Sequence, residues 1–189
     1  MSYLIDCRKN WEMPERLLAE ETDPIRRRNL QIMIDHGKAE AKPDFDALMA
    51  TVAPNAKYTS YTAGDREANS PTGKDGVAAY YTALVTSGCN HIEHAIDRMA
   101  VGKDTIVTEG DMKMAYPGHV LKAMGVEVPD ENGHYLYLSR MLIVWQFDEN
   151  GLVICEDSYA AADSLGFEGI ADRPISMDQI YHYEAQAAA

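Results

Sequence analysis

The sequence has only three cysteines in 189 residues, Cys7, Cys89 and Cys155, with neither Cys-x-x-Cys spacing nor a Cys/His cluster. That excludes a disulfide framework and a zinc finger as the source of the fold. Positive charge is scarce as well: 17 Lys and Arg stand against 30 Asp and Glu, a net charge of -13. Nucleic acids and anionic membrane surfaces are polyanions that select for Lys and Arg clusters, so neither is expected as a partner. No apolar run approaches the roughly 20 residues of a membrane span. The opening MSYLIDCRKNWEMPERL carries charges where a secretory leader needs an uninterrupted apolar core. A reducing, cytoplasmic compartment follows by default. There is no internal repeat, no low-complexity segment, no nucleotide-binding glycine fingerprint and no metal-ligand cluster. Any chemistry is therefore expected from side chains alone, with no cofactor and no metal.

What the sequence does have is an ordinary globular composition, 46% hydrophobic and 25% charged, in a length that suits one domain with a sizeable core. Its clearest structural statement is the stretch 135–163, YLYLSRMLIVWQFDENGLVICEDSYAAAD. Two runs rich in Leu, Ile, Val and aromatic residues flank Asp148-Glu149-Asn150-Gly151, and Asn-Gly between such runs predicts a hairpin. Whether the turn is Glu149-Asn150 or Asn150-Gly151, even positions of the first strand oppose odd positions of the second. Leu138, Arg140 and Leu142 then share a face with Asp157 and Tyr159. Tyr137, Ser139, Met141, Ile143 and Trp145 share the other with Ile154, Glu156 and Ser158. Both faces are mostly apolar, which predicts cover on each: helices or a pocket on one, a second subunit on the other. Arg140 is the anomaly, because a guanidinium in such a strand needs an acid or a ligand anion beside it.

Along the chain, Pro14 lies near the start of a short first helix, and Asp23-Pro24 opens a second through about Lys38 with Ile25, Ile32, Met33 and His36 at helical spacing. Pro43-Asp44 starts a third. Lys57–Tyr61 reads as a strand, Ala63-Gly64-Asp65 as a turn, and 74–86 as a helix with Val77, Tyr80, Tyr81 and Leu84 on one side. His91–Val101 and Thr105–Tyr116 are two strands, 117–134 is either a lid or an extension of the hairpin, and SMDQIYHYEA suggests a last helix. Helices followed by an antiparallel meander make an α+β plan: a curved, mainly antiparallel sheet with N-terminal helices on one side.

Two constellations carry possible chemistry. His91 has the pKa for proton transfer near neutrality, against the alternative of a solvated strand-end histidine; His94, three positions on, reads as structural or interfacial, since on a strand the pair points to opposite faces. Arg140 could hold a carboxylate or phenolate while Asp157 takes a proton and Tyr159 donates one to an oxyanion; the alternative is an Arg-Asp ion pair in the sheet or at a dimer contact. Tyr58, Tyr61, Tyr80, Tyr81 and Tyr137 offer aromatic walls and hydroxyls, and Met112 with Met114 and Tyr116 could line an apolar cavity, as could Trp145.

Four pieces, FDALMATVAPNAKYTSY, SPTGKDGVAAYYTAL, HIEHAIDRMAVGKDTIVTEG and VWQFDENGLVICEDSYAAAD, resemble in order and spacing the nuclear transport factor 2-like superfamily, within its SnoaL-like and scytalone dehydratase-like branch. The resemblance covers about 25–165. It implies a conical α+β barrel enclosing one apolar pocket, often in a homodimer. Domain limits follow as 1–23, an N-terminal extension; 24–165, the SnoaL-like domain; and 166–189, a tail packing on a neighbouring subunit. Residues are carried over one at a time. Epoxide hydrolysis in this superfamily needs an Arg and an Asp two apart, and Gly110 and Met112 stand there instead. The SnoaL-like cyclases' acid falls on Ala161. The dehydratases' general-base histidine matches His91, with Asp35 the nearest acid on the first long helix. The reading that results is a cofactor-independent lyase or isomerase acting on a small hydroxylated aromatic or polyketide-like compound, with His91, Asp157 and Tyr159 catalytic and Arg140, Tyr58, Tyr61, Tyr80, Met112, Tyr137 and Trp145 binding the substrate. The alternative is a non-catalytic pocket for a hydrophobic ligand or a protein partner.

Overall fold

A computed structural model of the chain describes residues 3–61 and 69–183. Strand β1 (Ile5–Asp6) leads into helix α1 (Lys9–Glu20), which keeps Pro14 inside it. Helix α2 (Pro24–Ala41) starts where Asp23 accepts hydrogen bonds from the Ile25 and Arg26 amides, with Pro at the first helical position. Asp44 caps α3 (Phe45–Ala50) in the same way, and α4 spans Gly73–Thr86. Strands β2 (Ile92–Val101), β3 (Thr105–Pro117), β4 (His134–Phe147) and β5 (Val153–Ala160) follow, with the short helix α5 (Gly118–Ala123) between β3 and β4. Two-residue strands β6 (Pro174–Ile175) and β7 (Ile180–Tyr181) end the described chain.

The main sheet runs β2-β3-β4-β5 antiparallel, and β6 pairs with the start of β4. It is not closed into a barrel; the cone comes from a bent sheet with helices α2 to α4 against one face. Cross-strand pairing fixes that face row by row. Ile92, Met114 and Tyr137 form one row, His94, Met112 and Ser139 the next, Ile96, Gly110 and Met141 another, then Met99, Thr108, Ile143 and Ser158, and finally Val101, Ile106, Trp145 and Glu156. Most of these side chains pack with Leu30, Met33, Leu48, Tyr58, Val77 and Tyr81 in the main core. This is the concave interior. The hairpin register agrees with the parity expected from the sequence, by a different route: the connection between Phe147 and Val153 is longer than two residues, and an irregularity between Gln146 and Phe147 restores the even-to-odd pairing.

Both faces are covered at the β6 end, but the outer one is covered by this chain itself. β7 pairs in parallel with β1, and Ile5 and Ile180 pack on Ala115 and Leu136. Of the expected terminal helix the described residues form one 3-10 turn, Met177–Gln179, before 180–181 is drawn out as a strand, and the tail to residue 183 lies on its own sheet. Residues 53–61 run beside β5 as an irregular strand, with the Lys57 amide donating to the Ile154 carbonyl at 2.8 Å and the Tyr61 amide to Ser158 at 2.9 Å. The expected turn at 63–65 lies outside the described residues. Connection 117–134 extends the hairpin at its ends, where Pro117 pairs with His134, and its middle is packed down: Leu121 of α5 is fully buried in the core, with Val126 and Val128 against it.

Candidate active site

Helix rotation decides what α2 presents to the interior. A step of about 100° per residue separates neighbours, so His36 is fully buried while Asp35, the acid expected from the family resemblance, is exposed and accepts a hydrogen bond from Gln31 at 2.8 Å. Glu40, one turn after His36, lies half-buried on the inward side. Thr51 follows α3, Tyr81 comes from α4 and Glu156 from β5. Thr51, His36, Tyr81 and Glu156 form a hydrogen-bonded chain, and Glu40 acts on Glu156 through its charge. The Thr51 hydroxyl donates to the Leu48 carbonyl at 2.6 Å and lies 2.7 Å from His36 Nδ1; His36 Nε2 lies 2.9 Å from the Tyr81 hydroxyl, which is 3.0 Å from Glu156 Oε2.

Proton assignment follows from the donors. Since Thr51 spends its proton on Leu48, His36 must hold its own on Nδ1, which leaves Nε2 an acceptor. Burial pushes His36 down to about 3, so the ring is neutral. Tyr81 has one proton for two neighbours. With Glu156 ionised it donates to the carboxylate and leaves Nε2 unbonded; with Glu156 protonated the carboxyl donates to Tyr81, Tyr81 donates to His36, and every group is satisfied. Burial, then the charge of Glu40, raises Glu156 to about 8 against the opposing Tyr81 hydrogen bond, and burial raises Glu40 to about 7. Near neutral pH both carboxyls are therefore partly protonated, Glu156 the more so.

Aromatic rings surround the pair. Trp145 meets His36 edge-on at 5.4 Å, Tyr58 meets Tyr81 at 6.4 Å and Tyr80 meets Tyr81 at 5.3 Å. Among the described residues the Tyr58 hydroxyl and the Trp145 indole nitrogen are buried without a hydrogen-bond partner. Six of the ten methionines, Met33, Met49, Met99, Met112, Met114 and Met141, pack in this interior core. Such side chains re-pack readily around a guest. His94 also faces inward, beside Met112: it is buried, its Nε2 has no partner, and burial lowers it to about 4.

The expected site residues divide between places. Tyr58, Met112, Tyr137 and Trp145 are buried on the interior side, and Tyr80 stands at its edge, 42% exposed. Arg140, Asp157 and Tyr159 share a face as expected, but it is the outer one. There Arg140 bonds Asp97 at 2.6 and 2.7 Å, Glu109 at 2.9 Å and Asp111 at 3.3 Å, so its guanidinium is already matched by acids. Tyr159 stacks on Tyr61 at 4.5 Å, and both rings are exposed. His91 sits apart again, edge-on to His182 in a cleft of about 150 Å³ lined also by Cys7, Asn90 and Tyr181. The structure thus separates His91, Asp157 and Tyr159 from the interior cluster. It brings together instead His36, Glu40, Thr51, Tyr81 and Glu156, of which the sequence marked only Tyr81 as a possible hydroxyl donor. One signal was present: Glu156 is an acid in the apolar stripe of Ile143 and Trp145. Among the described residues no group of three or more His, Cys, Asp and Glu side chains comes together as a metal site requires, and no helix is long and apolar enough to cross a membrane.

An α+β cone with ionisable groups buried on its concave face is the architecture of the nuclear transport factor 2-like superfamily. The chain belongs to it and, within it, to the SnoaL-like domain family, whose model matches residues 35–155. Similar solved structures include a protein named as a SnoaL-like polyketide cyclase from Shewanella putrefaciens, 12% identical over 85% of this chain and 92% of that one, TM-score 0.60. A limonene-epoxide-hydrolase-like (LEH-like) epoxide hydrolase from M. tuberculosis is 14% identical over 76% and 84%, TM-score 0.55. A Catenulispora acidiphila protein with a ketosteroid isomerase-like fold, in complex with trimethylamine, is 12% identical over 76% and 93%, TM-score 0.53. At such identities these likenesses speak for the fold alone. No curated protein matches the sequence.

Proposed function

We propose that the protein is a cofactor-independent lyase or isomerase acting on a small hydroxylated aromatic or polyketide-like compound, and that the Glu40–Glu156 pair moves the protons. The observation that carries this reading is a pair of carboxyls, both raised towards neutrality, of which Glu156 is tied through Tyr81 to a neutral His36 inside an aromatic and methionine-rich interior. With one carboxyl ionised and the other protonated, the ionised member can remove a proton from carbon or from a hydroxyl while the protonated member delivers one to a departing or developing oxygen. Elimination of water, retro-aldol cleavage and double-bond migration all use that exchange. Tyr81 keeps the pair in register with His36, and Tyr58 is aimed at charge developing on oxygen. Solved proteins of this fold named as a cyclase and an epoxide hydrolase support an enzymatic role. The same reading includes a cytoplasmic homodimer joined through the outer sheet face around Tyr61 and Tyr159.

The test is to screen the purified protein, without added metal or cofactor, against hydroxylated aromatic and polyketide-like compounds. Turnover that E156Q lowers by about 100-fold or more, with the fold intact, is the expected result. Turnover unchanged in both E156Q and E40Q removes the assignment. Ligand binding with no turnover of any compound in the set returns the protein to the binding class.

A further inference from the structure

The geometry points to a charge rule for this interior: it takes an uncharged compound through a hydroxyl or carbonyl oxygen, held by the Tyr58 hydroxyl and the Trp145 indole N–H beside the Glu40–Glu156 pair, and it turns carboxylates away. This deepens the proposed function and rests on the same site.

Three observations carry it. First, among the described residues the Trp145 indole N–H and the Tyr58 hydroxyl are buried with no hydrogen-bond partner of good geometry, the Tyr81 hydroxyl lying near Tyr58. The indole nitrogen can only donate, so what completes the site is an acceptor. Unsatisfied buried donors are rare enough in folded proteins to mark a place where something else binds. Second, both lie at the carboxyl pair. Trp145 is the direct cross-strand partner of Glu156, and Tyr58 is close enough to Tyr81, Glu156 and Glu40 to feel all three. Third, the negative charge here is unopposed. Among the described residues Glu156 has only neutral His36 and Tyr81 as polar partners, and no Lys or Arg bonds it or Glu40. The nearest cations along these elements are committed elsewhere: Lys38 to Glu15, Lys42 to Asp44, Arg28 to the carbonyls of Glu149 and Asp148. Arg140, the residue best suited to a carboxylate, is on the opposite face of the sheet among three acids.

Two donors alone would welcome a carboxylate. The acid pair reverses that preference, because a second anion in a low-dielectric site meets like charge with no counter-ion. A neutral oxygen meets the same donors without the repulsion, and can also accept the pair's proton.

Two probes on one ring system decide it: 2-naphthol, uncharged at pH 7, and 2-naphthoate, titrated calorimetrically into the full chain. We expect naphthol to bind at least about 10-fold more tightly. Y58F should weaken naphthol by roughly 3- to 10-fold with the melting temperature unchanged. E40Q/E156Q should bring the two probes to within about 3-fold of each other, since it keeps polarity and loses the negative charge. If the double variant fails to fold, E40Q, which removes the carboxyl that ionises first, carries that arm. Naphthoate binding as tightly as naphthol to the unaltered protein overturns the proposal, and so does the absence of naphthol binding to protein shown folded by circular dichroism. Binding is read without turnover. An inactive protein that still prefers naphthol loses the catalytic reading and keeps this one; an active protein that prefers naphthoate does the reverse.

Discussion

Glu156 illustrates how one carboxyl acquires its chemistry from its neighbours. In water its proton would leave near pH 4.5; here burial and the charge of Glu40 hold the proton to about 8. This has a consequence for stability whose sign is fixed. A carboxyl raised in the folded state binds a proton that the unfolded chain releases, so its stabilising effect is full below about 4.5 and is lost as pH rises through about 7 and 8 for Glu40 and Glu156. His36 works in the opposite direction: lowered to about 3, it excludes a proton that the unfolded chain accepts, and stability falls as pH drops below about 6.5. Melting temperature should therefore decline between pH 6 and 8.5, and E156Q should flatten that decline. A wild-type melting temperature that does not fall over this range would show the pair to be ordinary acids. Turnover should separate the residues too. E156Q is expected to cost about 100-fold or more, whereas H91A, in its cleft beside His182, and D157N, on the outer face, are expected to leave the rate within about 10-fold. Steady-state rates of the three variants decide between the two assignments.

At the scale of the elements, faces are set by register, and register here depends on two irregularities. One is the hairpin connection; the other lies in β2, where pairing with β3 shifts between Ile96 and Arg98 opposite Gly110. A Cβ at Gly110 would sit 2.2 Å from the Ala95 carbonyl oxygen and 2.8 Å from the Ile96 Cα, both backbone atoms that cannot yield cheaply. G110A is thus expected to destabilise the fold by about 2–4 kcal/mol, measured by urea unfolding. A cost under about 0.5 kcal/mol would mean the bulge relaxes freely. The helix starts are the opposite case, local and readable: D23A removes acceptors for the Ile25 and Arg26 amides and should cost about 1 kcal/mol. The same contrast explains what was legible. Asp23-Pro24 and Pro43-Asp44 announce their helices because a cap is made within a few residues. Lys57–Tyr61 did not become a regular strand, because its partner is the β5 edge about a hundred residues away.

For the whole molecule, both ends of the chain close over the sheet. Ile5 and Ile180 are almost fully buried on Leu136 and Ala115, and the Glu93–Lys113 pair beneath them takes the Asp6 amide as a further donor. Removing residues 176–189 should expose this cluster and lower the melting temperature by several degrees at least; an unchanged value would mean the tail contributes nothing. The remaining outer face, with exposed Tyr61 and Tyr159 stacked on one another, is where a second copy is proposed to pack. Light scattering should give twice the 21.0 kDa chain mass, and Y159D should halve it.

By itself the sequence determined the α+β order, the helix caps, the strand parity and the family, because each of these is written in short-range patterns of polarity and turn residues. It also determined that Arg140, Asp157 and Tyr159 would share a face. Which face looks inward was decided only in three dimensions, where the apolar sides of α2, α3 and α4 had to be buried against one side of the sheet and the chain ends against the other. That choice moved Arg140 outside and Glu156 inside. Two strand faces of nearly equal hydrophobicity look alike in one dimension, and only the helices packed on one of them tell them apart.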